Sequence, residues 1–129
     1  MQSDFEPVQD EYSISCDPAR IDLAVVHGFL STSYWSEGLP LEVLQRAIAA
    51  SLCFGVYHGG KQVGFARVVT DRATFAYLCD VFVLDAYRGQ GLGRWLMEAV
   101  AAHPDLQGLH RPDVYAQGHT KGDGGQSLS

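Results

Sequence analysis

Between residues 80 and 94 the chain reads Asp80-Val81-Phe82-Val83-Leu84-Asp85-Ala86-Tyr87-Arg88-Gly89-Gln90-Gly91-Leu92-Gly93-Arg94, with glycine at every second position from 89 to 93. An apolar, strand-like run therefore delivers a glycine-rich loop directly into the start of a helical pattern. The first-turn amides of a helix lack internal acceptors and carry the positive end of the macrodipole. Glycines let the backbone come close to a ligand and turn those amides toward it, which makes a cradle for a pyrophosphate. Two other phosphate loops fail on spacing. A Walker loop ends in Gly-Lys-Ser/Thr, where this one offers Gly93-Arg94-Trp95. A dinucleotide fingerprint spaces its glycines G-x-G-x-x-G inside a βαβ unit, whereas here G-x-G-x-G follows a hairpin meander. A glycine-rich turn chosen only for tight packing is the remaining alternative.

The elements that must position this loop show in the periods around it. Residues 1–11 read as a flexible, polar lead-in, and Tyr12–Cys16 alternates like a short strand. Asp17-Pro18 supplies an N-cap and a first-turn proline for a helix over Ala19–Leu30, with Ile21, Val25 and Phe29 on its apolar face. Residues 31–38 break that period as a loop. A second helix is expected from about Pro40 to Ser51, with Leu41, Leu44, Ile48 and Leu52 on one side. Strands follow at Cys53–Tyr57, at Val63–Thr70 after the turn His58-Gly59-Gly60-Lys61, and at Thr74–Val83, whose two apolar faces mark a central strand. Leu84–Gln90 is a loop, and Gly91–Ala102 is helical, with Leu92, Trp95, Leu96 and Ala99 inward until His103-Pro104 ends it. This order predicts an α+β layer architecture.

Composition narrows the function classes. At 129 residues, 47% hydrophobic and 19% charged, a single packed domain is expected. A net charge of −6 argues against nucleic acid as a partner and leaves room for a cationic substrate. No apolar run is long enough for a bilayer, and the acidic start Met1–Glu6 lacks the layout of a secretory signal, so no membrane and a cytoplasmic location are expected. Cys16, Cys53 and Cys79 form no CxxC pair and read as reduced, buried thiols. His27, His58, His103, His110 and His119 are scattered without ligand spacing, and no metal is expected.

The pattern Arg/Gln-x-x-Gly-x-Gly/Ala is met by Arg88-Gly89-Gln90-Gly91-Leu92-Gly93. From about Tyr12 to Leu109 the chain resembles the GNAT N-acetyltransferases, most closely small bacterial members with stretches like Gly64-Phe65-Ala66-Arg67-Val68-Val69-Thr70-Asp71 and Tyr77-Leu78-Cys79-Asp80-Val81-Phe82-Val83. The resemblance implies a GNAT-like (acyl-CoA N-acyltransferase) fold, a mixed, mainly antiparallel sheet flanked by helices. It implies acetyl-CoA as cosubstrate and a primary amine, on a small molecule or a peptide, attacking through a tetrahedral intermediate. Backbone groups of Val81 and Val83, with Phe82 between them, would pair with the pantetheine arm like an extra strand. Arg88 and the amides of Gly89, Gln90, Gly91, Leu92, Gly93 and Arg94 would hold the pyrophosphate. An amide near Val83 would polarise the thioester carbonyl. Asp80 is a candidate base, set against a hydrogen-bonded structural carboxylate or an anchor for the substrate ammonium. Tyr34 and Trp35 fall where relatives line the acceptor pocket, with core packing as their alternative. Arg67, in an otherwise apolar strand, pairs with Asp80 or Asp71 or contacts substrate.

Past Leu109 such relatives continue with a fifth strand, a helix whose tyrosine protonates the departing thiolate, and a final hairpin. Residues 110–129 show neither strand nor helix period and read as an atypical, flexible tail, so the family fold is expected to be truncated after the pyrophosphate-binding helix. Tyr115, the tail's one tyrosine, is not assigned the acid's role. The alternative to an active enzyme is a catalytically impaired acetyl-CoA-binding remnant or a scaffold for protein association. Without a fifth strand, Thr74–Val83 becomes an apolar edge, and a homodimer or larger homo-oligomer is expected.

Overall fold

The computed structural model describes residues 5–33, 37–111, 114–116 and 126–127. Among them the strands are β1 (Val8–Gln9), β2 (Tyr12–Ser15), β3 (Leu52–His58), β4 (Lys61–Thr70), β5 (Ala76–Val83), β6 (Val114–Ala116) and β7 (Gln126–Ser127). They lie in one sheet in that same order, every neighbouring pair antiparallel except β5 and β6, which run parallel. The helices are α1 (Leu23–Leu30), α2 (Leu41–Ala49) and α3 (Leu92–Ala102). This is the mixed, mainly antiparallel sheet flanked by helices that the sequence predicts.

Strand alternation sends side chains to two cores, one on each face of the sheet. Phe54, Val56, Val68 and Leu78 join Leu92, Leu96, Ala99 and Val100 of α3. Cys53, Phe65 and Phe82 join Val26 and Leu30 of α1 and Leu44 and Ile48 of α2. Leu41, expected on the apolar side of α2, instead stays 46% exposed. The single helix expected over Ala19–Leu30 is divided. Asp17 caps only the 3-10 turn Pro18–Arg20, accepting from the Ala19 amide at 3.0 Å. Ile21 is extended, and Asp22 then starts α1 by accepting from the amides of Ala24 and Val25. Two N-capping aspartates five residues apart serve two short elements rather than one long helix.

The tail, in which no strand period is legible, supplies β6. The amides of His110 and Arg111 bond to the carbonyls of Ala73 and Thr74, and Val114, Tyr115 and Ala116 then pair with Ala76, Tyr77 and Leu78. The expected bare edge on β5 is therefore corrected over Ala76–Leu78. A three-residue strand paired in parallel with a segment far back in the chain leaves no periodic signal of its own.

His103 ends α3 as expected and is 1% exposed. Its Nδ1 accepts from the Asp105 amide at 3.0 Å, its ring meets Phe5 and Phe54 edge-on, and its buried Nε2 has no hydrogen-bond partner among the described residues. Burial lowers its pKa below the ordinary 6.5; the charge of Asp105 opposes that shift and the charge of Arg72 adds to it. A histidine held neutral in the fold binds its proton more readily in the unfolded chain, so its stabilisation is complete above the unfolded value and is lost as pH falls below it. Melting temperature is expected to decline between about pH 7 and pH 5, where carboxylates with ordinary pKa values remain largely ionised. His103→Asn keeps an acceptor for the Asp105 amide but gains no proton, and it is expected to flatten that decline. An unchanged slope in this variant would show that other groups set it.

Candidate functional site

After β5 the chain is tied back by the Leu84 amide, which donates to the Val63 carbonyl at 2.9 Å, and it then makes a 3-10 turn over Asp85–Tyr87. Gly89 (φ 82°) and Gly91 (φ 83°) take the left-handed conformation, which costs a residue with a side chain about 1–2 kcal/mol. Gly91 is the N-cap of α3 and has no side chain with which to cap it. Among the described residues, no carbonyl or side chain accepts from the amides of Gly89 to Arg94; the next amide, Trp95, donates to the Gly91 carbonyl at 3.0 Å. The loop thus ends in a row of unengaged N–H donors at a helix start.

Tight packing does not explain the glycines. Among the described residues, a Cβ added at Gly89, Gly91 or Gly93 would meet nothing within 4 Å. Gly89 and Gly91 still answer to their φ angles, but Gly93 sits inside α3 with neither reason. At such a position glycine is about 0.5–1 kcal/mol worse than alanine. Gly93 is among the residues that line a cavity of about 280 Å³, with Val81, Phe82, Val83, Tyr87, Arg88 and the other glycines of the loop.

The other wall of the cavity is β5. Pairing with β6 stops at Leu78, so among the described residues Cys79–Val83 has a strand neighbour only on the β4 side. The Val83 carbonyl accepts from Arg88 Nε at 2.9 Å, and Arg88 also pairs with Asp85 at 2.9 Å. Arg88 therefore braces the loop, while Arg94, 87% exposed at its side chain, faces Glu98 at 3.6 Å.

At the point where β6 ends, β5 carries a β-bulge. Phe65 pairs with Phe82 and Arg67 with Cys79, leaving Asp80 and Val81 opposite Ala66 alone. Asp80 takes φ 57°, a left-handed angle that aspartate tolerates better than most residues. Its Oδ2 accepts from Arg67 Nε at 2.7 Å, and Arg67 Nη1 donates to Ser51 Oγ at 3.2 Å. The two paired side chains are 19% and 9% exposed. Burial works against the Arg67 charge, but the Asp80 hydrogen bond and neighbouring negative groups outweigh it and raise the guanidinium above its ordinary value.

Of the readings open for Arg67, the geometry displays the pair with Asp80; Asp71 instead caps the following turn through the amides of Ala73 and Thr74. Of those open for Asp80, it displays the hydrogen-bonded structural carboxylate. Tyr34 and Trp35 lie outside the described residues. Ser51 went unnoticed in the sequence, where a serine at the end of a helix gives no sign of a partner across the sheet. The thiols of Cys53 and Cys79 are unpaired and pushed up by burial to about 12 and about 11, so neither is a ready nucleophile.

Comparison with known proteins agrees with this geometry. The acetyltransferase (GNAT) family profile matches residues 22–119, most of the chain. A candidate acetyltransferase of Gibberella zeae is 32% identical over 121 residues, taking in 75% of this chain and 68% of that protein. The crystal structure of a GNAT-family protein from Xanthomonas campestris pv. campestris is 49% identical, with a TM-score of 0.79 over 83% of this chain and 75% of that one. A GNAT acetyltransferase from Elizabethkingia anophelis, solved with acetyl-CoA bound, shares the fold at 12% identity, with a TM-score of 0.64 over 88% of this chain and 69% of that one. By the profile match and the Gibberella relative together, the chain belongs to the GNAT acetyltransferase family.

Proposed function

We propose that the chain binds acetyl-CoA and transfers its acetyl group to a primary amine. The row of unengaged amides from Gly89 to Arg94 carries this reading, because convergent N–H donors at a helix start suit a diphosphate. The bound acetyl-CoA of the Elizabethkingia protein, which has the same fold, supports it. The side of β5 away from β4 at Val81–Val83, where Arg88 already holds the Val83 carbonyl, suits the pantetheine arm, whose amides pair with a strand as another strand would. Acetyl-CoA supplies an acyl group already activated as a thioester. What the chain adds is orientation and N–H groups near the bulge, where negative charge gathers on the carbonyl oxygen as the amine attacks. The net charge of −6 suits a cationic amine.

Calorimetric titration with acetyl-CoA, followed by thiol release across a panel of amines, tests both halves. Saturable binding with amine-dependent release is expected. Absence of binding would remove the whole reading, and binding without release from any amine would leave a CoA binder that is no transferase.

A further inference from the structure

We propose that Arg67 is a positioning residue whose ion pair with Asp80 holds the β5 bulge in its left-handed turn and so sets the backbone of Val81–Val83 toward the cavity. The inference rests on the transferase reading for its effect on rate, while the latch itself stands on geometry. Non-glycine residues persist at positive φ only where their surroundings impose it. Here Asp80 has φ 57° at the end of the β5–β6 pairing, where strand pairing continues on the β4 side alone. Arg67 stands directly across from Cys79, reaches the Asp80 carboxylate at 2.7 Å and is itself anchored on Ser51 Oγ at 3.2 Å, just past the end of α2. A short, half-buried guanidinium bridge thus ties three segments at the corner where the bulge turns. The residues that follow, Val81, Phe82 and Val83, line the cavity.

The test compares wild type with Arg67→Met, Asp80→Gly and the double variant. Glycine takes a left-handed angle without strain, so the double variant keeps the bulge while dispensing with the bridge. In Arg67→Met the backbone NMR shifts of Cys79 and Val81 are expected to move, and kcat is expected to fall by about ten-fold or more with KM for acetyl-CoA changed less than about three-fold. In the double variant the shifts of Cys79 and Val81 return, and kcat recovers to within about three-fold of wild type. Wild-type shifts and kcat in Arg67→Met would overturn the proposal. So would a folded double variant that stays inactive, an outcome that makes the Asp80 carboxylate itself the base or ammonium anchor. If Arg67→Met alone does not fold, the double variant decides by the same two readouts. If wild type binds no acetyl-CoA, the transferase reading fails, and the shifts still decide the latch.

Discussion

Gly93→Leu is expected to weaken acetyl-CoA binding by about 100-fold, or about 2.7 kcal/mol, while leaving the fold at least as stable as wild type. These opposite effects follow from one observation. A Cβ at Gly93 meets nothing within 4 Å among the described residues, so the protein has room for the side chain, and Gly93 itself lines the cavity into which a leucine there is expected to reach. Leucine also favours a helix over glycine by close to 1 kcal/mol. The side chain would stand over the first turn of α3, where a diphosphate must lie to reach the free amides. Gly91 makes a poorer probe, because its φ of 83° strains any replacement and confounds folding with binding. Gly93→Ala is the control: the resemblance admits alanine there, and binding is expected to change by less than about three-fold while the melting temperature rises. Titration calorimetry and thermal melts read the two arms. Full affinity in Gly93→Leu would mean that the diphosphate lies elsewhere.

The glycine loop entering a helix was legible because its signal is local: alternating glycines, an apolar run before them and a helical period after. The bulge was not. Cys79–Val83 reads as a continuous strand, and an extra residue against Ala66 is a property of two strands together, invisible in either alone. Its sequence trace is one aspartate in an apolar run facing one arginine in another, which supports pairing but says nothing of a left-handed angle. β6 escaped for a related reason, since Val114–Ala116 is strand only because β5 lies beside it. At the start of the chain the error ran the other way. Asp17-Pro18 is a genuine capping signal, but it starts a single turn, and Asp22, five residues on, begins the helix. Local rules identified the caps, while packing decided how far each element ran.

Arg67→Met is expected to destabilise the fold by about 3 kcal/mol, the lower end for breaking a buried pair, because water still reaches part of both side chains. The loss comes less from the missing attraction than from the carboxylate left behind. Asp80, 7% exposed, keeps its left-handed backbone and its burial but loses the one side chain that donates to it among the described residues. Asp80→Gly is expected to cost less, because the remaining guanidinium still reaches Ser51, is the more exposed partner and no longer stands across from a strained backbone. The double variant removes both charges and the backbone strain, so its cost should fall well short of the sum of the two single costs, by about 1–2 kcal/mol. Urea unfolding of the four proteins measures this cycle directly. Strictly additive costs would show that the pair contributes no coupling, and Arg67 would then be a packing residue whose charge happens to lie near Asp80.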